Sequence, residues 1–327
     1  MENPHSILIV QTAFIGDVIL ATALIESLHQ KFPECQLDFV VRKGNEELLG
    51  GHPILREVLV FNKRKKYRSL FTLVQKIRGR RYDYLINVQR FATTGLMTVF
   101  SGARTTIGFA KNPLSFLFSR KFPHVMDGRH EVERNALLIE SLVGKGGGRP
   151  RLYPSAEQFE KVKPFKHEPY ITISPASVWF TKQFPADKWI EFLLVVPQHF
   201  KVFLLGAKDD RDLCNKLVGS SSNKNLVNLA GNLSLLESAA LMKDARMNYV
   251  NDSAPMHLAS AMNAPVTAIY CSTSVAFGFG PLSDTSFVIE TTEKLACRPC
   301  GIHGYRQCPE GHFKCALTIR KEQLLFT

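Results

Sequence analysis

The chain has 327 residues, of which 45% are hydrophobic and 21% charged, and a formal net charge of +12 at pH 7. That length suits two domains of ordinary size, no apolar run approaches the roughly 18 residues of a membrane span, and MENPHSILIV lacks the basic, apolar and small-residue succession of a signal peptide, which predicts a cytosolic protein. The positive charge favours anionic partners (nucleic acid, phosphorylated sugars, nucleotides or an acidic membrane surface) without choosing among them, and equally suits a solvated basic surface.

In chain order, SILIVQT reads as a buried strand, and DVILATALIESLHQKF as a helix with Val18, Ala21, Leu24, Ile25 and Leu28 at helical spacing, closed by Pro33. QLDFVVR and REVLVFN read as strands, LFTLVQKIRG as a helix and YDYLINVQ as a further strand. From about Gly144 to Pro169 the glycines, prolines and charges of GKGGGRPRLYPSAEQFEKVKPFKHEP predict a linker. The alternation then resumes with YITIS, a helix from about Asp187 to Val196, KVFLLGA, a helix near Asp209 to Val218, and NLVNLAG. Ser234 and Glu237 form a capping box before the next helix, and RMNYVND, PMHLASAM and PVTAIYC follow as strand, helix and strand. Two strand–helix alternations split by a linker predict two Rossmann-like parallel-sheet α/β domains facing across a cleft, residues 1–155 and 166–327.

Ligands of such sheets bind where strands run into helix N-termini, so the strand-to-helix turns are the candidate sites. In QTAFIGD, Gly16 predicts a tight or left-handed turn and delivers Asp17 to the mouth of the first helix. There Asp17 suits either a helix-start residue or a general base that takes a proton from an attacking hydroxyl. No GxGxxG accompanies the turn, which argues against a dinucleotide oxidoreductase. In NYVNDSAPMHLASAMNAP, Asp252 and Ser253 are natural capping residues and Pro255 fits the first helical turn. The backbone N–H groups of Ala254, Met256 and His257 are candidates to hold phosphate oxygens; an ordinary capped helix, with His257 packing, fits the same pattern. ISPASVWFTKQFPADKW puts Ser177, Thr181 and Lys182 on one loop, where Lys182 suits either a diphosphate or plain solvent. Lys63, Arg64, Lys65, Lys66 and Arg68 follow a strand directly and suit an anionic acceptor, lipid head groups or a solvated loop. Cys297, Cys300, Cys308 and Cys315, with His303 and His312 among them, have spacing compatible with a tetrahedral zinc site, whereas Cys35, Cys214 and Cys271 read as core cysteines.

Together, ILIVQTAFIGDVILATALIESL, HPILREVLVF, YDYLINVQR, SPASVWFTKQFPADKW, FLLGAKDD and NDSAPMHLASAMNAPVTAIY resemble the ADP-heptose:lipopolysaccharide heptosyltransferases, glycosyltransferase family 9, and most of all the heptosyltransferase II branch. The resemblance implies a GT-B fold, with the acceptor on the N-terminal domain and ADP-heptose on the C-terminal one. It implies inverting transfer to the lipopolysaccharide core at the inner-membrane surface, without metal or other cofactor and without nucleic acid. It makes Asp17 the base and Lys182 the neutraliser of the departing diphosphate. Ser177, Thr181, Asp210 and the run Asp252, Ser253, Ala254, Pro255, Met256 and His257 become donor contacts, and Lys63, Arg64, Arg120 and Arg134 acceptor contacts. Two departures stand out: Ala254 replaces the usual glycine, and CSTSV replaces GPTSP. The competing expectations are a different nucleotide sugar or acceptor, and a basic nucleic-acid-binding protein using the cysteine cluster and the Lys63–Arg68 run.

Overall fold

The computed structural model describes residues 3–325. The chain divides into two compact units, one ending at Tyr153 and the other beginning at Pro154.

In the first unit, strand β1 (Ser6–Val10) is buried along its whole length, as a run of Ile, Leu and Val requires. Helix α1 (Ile15–Lys31) follows and buries Val18, Leu24, Ile25 and Leu28. It stops where Phe32 donates back to the Leu28 carbonyl at 2.8 Å, just before Pro33, which has no N–H to continue the ladder. Then come β2 (Gln36–Arg42), β3 (Leu55–Phe61), α2 (Lys66–Arg80), β4 (Tyr84–Asn87), α3 (Ala92–Val99), β5 (Thr105–Phe109), β6 (Arg120–Phe122) and two short helices, α4 (Glu131–Ala136) and α5 (Glu140–Val143). The six strands form one parallel sheet in the order β3-β2-β1-β4-β5-β6. Leu73 and Ile77 of α2 pack with Val40, Leu59, Phe61 and Tyr82, each worth roughly 1.5–3 kcal/mol of burial. One charge lies inside this wall: Asp38 of β2 is fully buried, and Arg56, Arg80 and the Tyr82 hydroxyl all donate to it. Burial opposes its ionisation, but those donors hold its pKa below the ordinary carboxylate value.

The stretch expected as linker is shorter than its composition suggests. Gly148 donates to Ser27 Oγ at 2.7 Å, Arg151 N–H to Thr22 Oγ1 at 2.9 Å, and the Tyr153 hydroxyl to Glu26 at 3.0 Å, so residues 148–153 lie along α1. A Cβ on Gly148 would stand 2.7 Å from the Ala23 carbonyl, which is why that position is glycine. Beyond the border, Ser155 and Gln158 cap α6 (Ala156–Val162), a helix the glycine- and proline-rich texture had concealed.

The second unit continues with β7 (Tyr170–Ser174), α7 (Ala186–Leu193), β8 (Lys201–Leu204), α8 (Arg211–Ser220), β9 (Leu226–Asn228), α9 (Leu235–Lys243), β10 (Asn248–Asn251), α10 (Ala254–Ala261), β11 (Val266–Tyr270), β12 (Ser286–Glu290) and α11 (Lys314–Leu317). The expected Ser234–Glu237 box opens α9. The parallel sheet runs β12-β11-β10-β7-β8-β9, the same winding as the first once its strands are counted from β7. Its core joins Trp189, Phe192 and Tyr249 to Cys315 and Ile319, so the cysteine-bearing segment is part of this unit's interior.

Candidate active site

In each sheet the strand order reverses once, between β1 and β4 in the first unit and between β7 and β10 in the second. Crevices open at the carboxyl ends of such strand pairs. The loops leaving β1, β4, β7 and β10 are therefore where binding groups concentrate, and both motif turns lie on them.

After β1, the loop is fixed by Gln11, whose Oε1 accepts Ala13 N–H at 3.1 Å, and by Asn45, whose amide donates to the Ala13 carbonyl at 3.0 Å. Asp17 is the third residue of α1, and its carboxylate accepts the Phe14 N–H at 3.1 Å. Of the tight or left-handed turn expected at Gly16, the left-handed form does not occur: Gly16 is the second residue of the helix and lies outside the set of glycines with positive φ. The helix-start position of Asp17 therefore holds a half-buried carboxyl that is also the candidate base. Burial, and then the Glu131 carboxylate, raise its pKa to about 6, against the lowering effect of the Phe14 N–H, its own N–H and Arg42.

Glu131 begins α4 and was not singled out by any motif. Its carboxylate takes the Arg134 Nε–H at 2.8 Å and lies 3.2 Å from His124 Nε2. Burial opposes its charge, but these partners hold its pKa below the ordinary value and so keep a negative neighbour beside Asp17. This corrects the expectation for Arg134: at 1% exposure it is a buried partner of Glu131 and of the Arg129 carbonyl, out of reach of an acceptor. Arg120 is also corrected. It opens the edge strand β6 and donates to Ser141 Oγ at 2.8 Å, away from the carboxyl-end loops. Lys63 and Arg64, in contrast, are exposed just past the carboxyl end of β3. Burial and the Arg42 cation lower the Lys63 pKa, which sets Lys63 in the electrostatic reach of the same rim. Beside β1, the side-chain amide of Gln89, on the loop after β4, donates to Gln11, while Gln89 Oε1 is buried with no partner among the described residues.

In the second unit, Lys182 ends a short 3-10 turn on the loop after β7, and its ammonium lies 2.7 Å from Asp252. Asp252, at the end of β10, also accepts the Thr273 hydroxyl at 2.6 Å. The capping role expected of Asp252 and Ser253 is therefore absent: Ser253 is the N-cap of α10 but its side chain makes no capping bond. The Ser253 hydroxyl donates to the Asn251 carbonyl at 3.3 Å instead. The start of α10, with Ala254 first and Pro255 second, keeps an uncapped positive dipole end beside a lysine, which suits a diphosphate.

Not every expected donor contact is there. Met256 gives its N–H to the Ser253 carbonyl at 3.1 Å, and its fully buried sulfur accepts the Tyr270 hydroxyl at 3.2 Å, so it is a core residue. His257 is buried as well. The Thr181 hydroxyl accepts Tyr305 N–H at 2.7 Å and the Ser272 hydroxyl at 3.0 Å, which makes it an internal tie rather than a ligand contact. Asp210 accepts the Ala207 N–H at 2.7 Å and closes its own turn. Ser177 remains half-buried on the Lys182 loop, its carbonyl accepting Gln183 Nε2 at 2.5 Å.

Three supports escaped the sequence. Asn251, fully buried, receives Phe184 N–H at 2.9 Å and donates to the Pro175 carbonyl at 2.8 Å, gripping both ends of the Lys182 loop. Arg298 donates to the carbonyls of Cys271 and Thr273 at 2.8 and 2.7 Å and pairs with Glu290 at 2.5 Å, bracing the CSTSV turn. Gly304 has φ +71, and a Cβ there would meet Thr181 Oγ1 at 2.7 Å and Lys182 Cγ at 3.1 Å. The cysteine-bearing segment thus buttresses the lysine. Cys297, Cys300, Cys308 and Cys315 line one cavity of about 230 Å³ together with His312. Burial, then its cysteine neighbours, push the Cys315 thiol up to about 11. Among the described residues no group of three or more His, Cys, Asp or Glu side chains is arranged to hold a metal ion. Cys35, Cys214 and Cys271 are buried, as expected of core cysteines.

Residues 70–305 match the family model for glycosyltransferase family 9 (heptosyltransferase). Lipopolysaccharide heptosyltransferase 3 of Escherichia coli is 24% identical over 284 residues, 81% of this chain and 83% of that protein. The solved structure of E. coli ADP-heptose lps heptosyltransferase II is similar with a TM-score of 0.80 at 20% identity, over 98% of this chain and 96% of that one. E. coli heptosyltransferase WaaC with ADP-2-deoxy-2-fluoro heptose gives 0.73 at 20% identity, over 88% and 93%. The two parallel six-stranded sheets are those of the expected GT-B fold.

Proposed function

The chain belongs to glycosyltransferase family 9, the heptosyltransferases, and from that premise we propose that it moves L-glycero-D-manno-heptose from ADP-heptose onto the lipopolysaccharide inner core, as a heptosyltransferase II does. The first unit takes the acceptor and the second the donor. The Asp17 carboxylate receives the proton of the acceptor hydroxyl as its oxygen forms the bond to the anomeric carbon. The bond from that carbon to the phosphate oxygen breaks with inversion, and the electron pair departs with ADP. Lys182 and the start of α10 offset the charge that accumulates on the diphosphate. Ser177 and Ser253 offer hydroxyls to the donor, and Lys63 and Arg64 meet acidic groups of the acceptor. No metal ion takes part. The enzyme works at the surface of the inner membrane; among the described residues no helix is long and apolar enough to cross one.

The observation that carries this reading is Asp17, a carboxyl raised to about 6 in the first turn of α1, where the loop leaving β1 enters the helix. A base with that pKa is ionised at neutral pH yet more basic than an ordinary aspartate. Product analysis with ADP-heptose and defined truncated lipopolysaccharides tests the reading: a single added heptose is expected, and none on any acceptor would reject it. A different donor is the second reading, favoured by Ala254 and by the CSTSV turn, whose Thr273 is committed to Asp252. Thermal shifts with ADP-, UDP-, GDP- and CMP-sugars separate the two.

A further inference from the structure

The reaction above leaves the outer edge of the first unit, β3 and α2, without a role. From Lys63 to Arg81 every charged side chain is Lys or Arg. Two are neutralised locally, Lys76 by Glu57 and Arg80 by Glu57 and Asp38. Lys65, Lys66 and Arg68 are exposed, and among the described residues no carboxylate pairs with them.

Helix α2 turns only Leu73 and Ile77 fully into the core. At 3.6 residues per turn, Tyr67 and Phe71 stand one above the other on a different side of the helix, with Arg68 beside them. They are 82% and 66% exposed. Keeping two aromatic rings in water opposes the hydrophobic effect, and the unit's own core does not cover them. Next to this stripe, α2 and the edge strand β3 enclose a recess of about 560 Å³, lined by Lys65, Arg68, Lys76 and the hydroxyls of Ser69 and Thr72, with Glu57 at its wall. Glu57 is occupied by Lys76 and Arg80, and burial notwithstanding, those partners hold its pKa below the ordinary value.

We propose that the β3–α2 edge docks on an anionic phospholipid bilayer, with Lys65, Lys66 and Arg68 against head-group phosphates and Tyr67 and Phe71 in the interfacial layer. Lys66, with its ammonium 5.8 Å from the Tyr67 ring centre, and Arg68 flank the two rings at the exposed start of α2, with Lys65 at its N-cap. An interface rewards that combination, since the charges are drawn to the anionic surface and the rings enter the boundary between head groups and acyl chains. The recess supplies hydroxyl and ammonium donors for a phosphate oxygen at the same level. The inference rests on the proposed lipid-linked acceptor only for its purpose, and the experiment keeps the two apart.

The full-length protein is floated with phosphatidylethanolamine–phosphatidylglycerol vesicles and, separately, with phosphatidylcholine vesicles. Binding to the anionic vesicles alone, weakened by salt, is expected. Each basic side chain removed should lower partitioning about fivefold, the factor corresponding to about 1 kcal/mol per Lys or Arg near such a surface, so K65Q/K66Q/R68Q should lose about a hundredfold. Y67S/F71S should lose partitioning while keeping its salt dependence. Lys63 and Arg64 are left intact in both variants as proposed acceptor contacts, and turnover on a water-soluble, deacylated core oligosaccharide should match wild type. Unchanged flotation of both variants, equal binding to neutral vesicles, or tighter retention by single-stranded RNA through these same residues would overturn the proposal. If no acceptor is glycosylated, the functional reading fails while the flotation result still stands.

Discussion

The Lys182 ammonium lies 2.7 Å from the Asp252 carboxylate, with the two side chains only 14% and 9% exposed. The pair is self-neutralised, so under the proposed function a donor diphosphate shares the lysine with Asp252. Lys182→Ala is expected to lower kcat by about a hundredfold or more, the usual consequence of losing one preorganised donor to a developing negative charge. It should also lower thermal stability, because Asp252 keeps its burial and loses its counter-charge. Adding Asp252→Asn to Lys182→Ala should recover part of that stability and none of the rate. A double variant no more stable than Lys182→Ala would show that the pair is not coupled.

With Asp17 as the proposed base, Asp17 and Glu131 together should set the acid limb of the pH–rate profile. A base with a pKa of about 6 must be deprotonated to act, so kcat/KM should rise as pH increases through about 6 and level above it. The Glu131 charge holds that pKa up, so Glu131→Gln should move the limb to lower pH, and Arg42→Ala should move it higher. The pH–rate profile of each variant reads this directly. A limb that stays in place in both would remove Asp17 from the role.

The same carboxyl makes a prediction about stability with the opposite sign from activity. Its folded-state pKa, about 6, exceeds the 3.8 of an ordinary aspartate, so between those limits the folded chain binds more protons than the unfolded one. Ionised Asp17 therefore destabilises the fold as pH rises through that window. Asp17→Asn should be inactive yet more resistant to heat at pH 7 to 8, by up to about 3 kcal/mol, with the gain vanishing near pH 4. Calorimetry at the two pH values distinguishes this from a general loss of folding, which would lower the transition at both.

The elements that frame the site could be read from the chain because each signal was local. The Val and Ile runs of β1 and β7, the periodicity of α1 and the Pro255 at the start of α10 all report on their own neighbourhood. β6 could not be read, since Arg120-Lys121-Phe122 is short, polar and held in the sheet by β5. Thr181 and Lys182 show the limit for side chains: adjacent on one loop, they differ in direction, one turned into the packed segment around Tyr305 and the other toward Asp252. Glu131, Asn251 and Arg298 act through partners far along the chain, so nothing near them in sequence announced their roles.

The buttress behind Lys182 can be tested without touching the lysine. Gly304 sits at φ +71, a region that costs a side-chain-bearing residue about 1–2 kcal/mol. A Cβ there also meets Thr181 Oγ1 at 2.7 Å and Lys182 Cγ at 3.1 Å. The clash with Thr181 cannot be relieved cheaply, because its hydroxyl is already fixed by Tyr305 and Ser272. The loop must shift, and the lysine moves with it. Gly304→Ala should therefore lower stability and also reduce kcat by about tenfold or more, since misplacement of about an ångström suffices to degrade transition-state contacts. Gly301, also left-handed at φ +75 but with nothing within 4 Å of its would-be Cβ, is the control. Gly301→Ala carries the same backbone strain without the contact, so equal losses of kcat in the two variants would show that backbone strain, and not pressure on Lys182, is responsible.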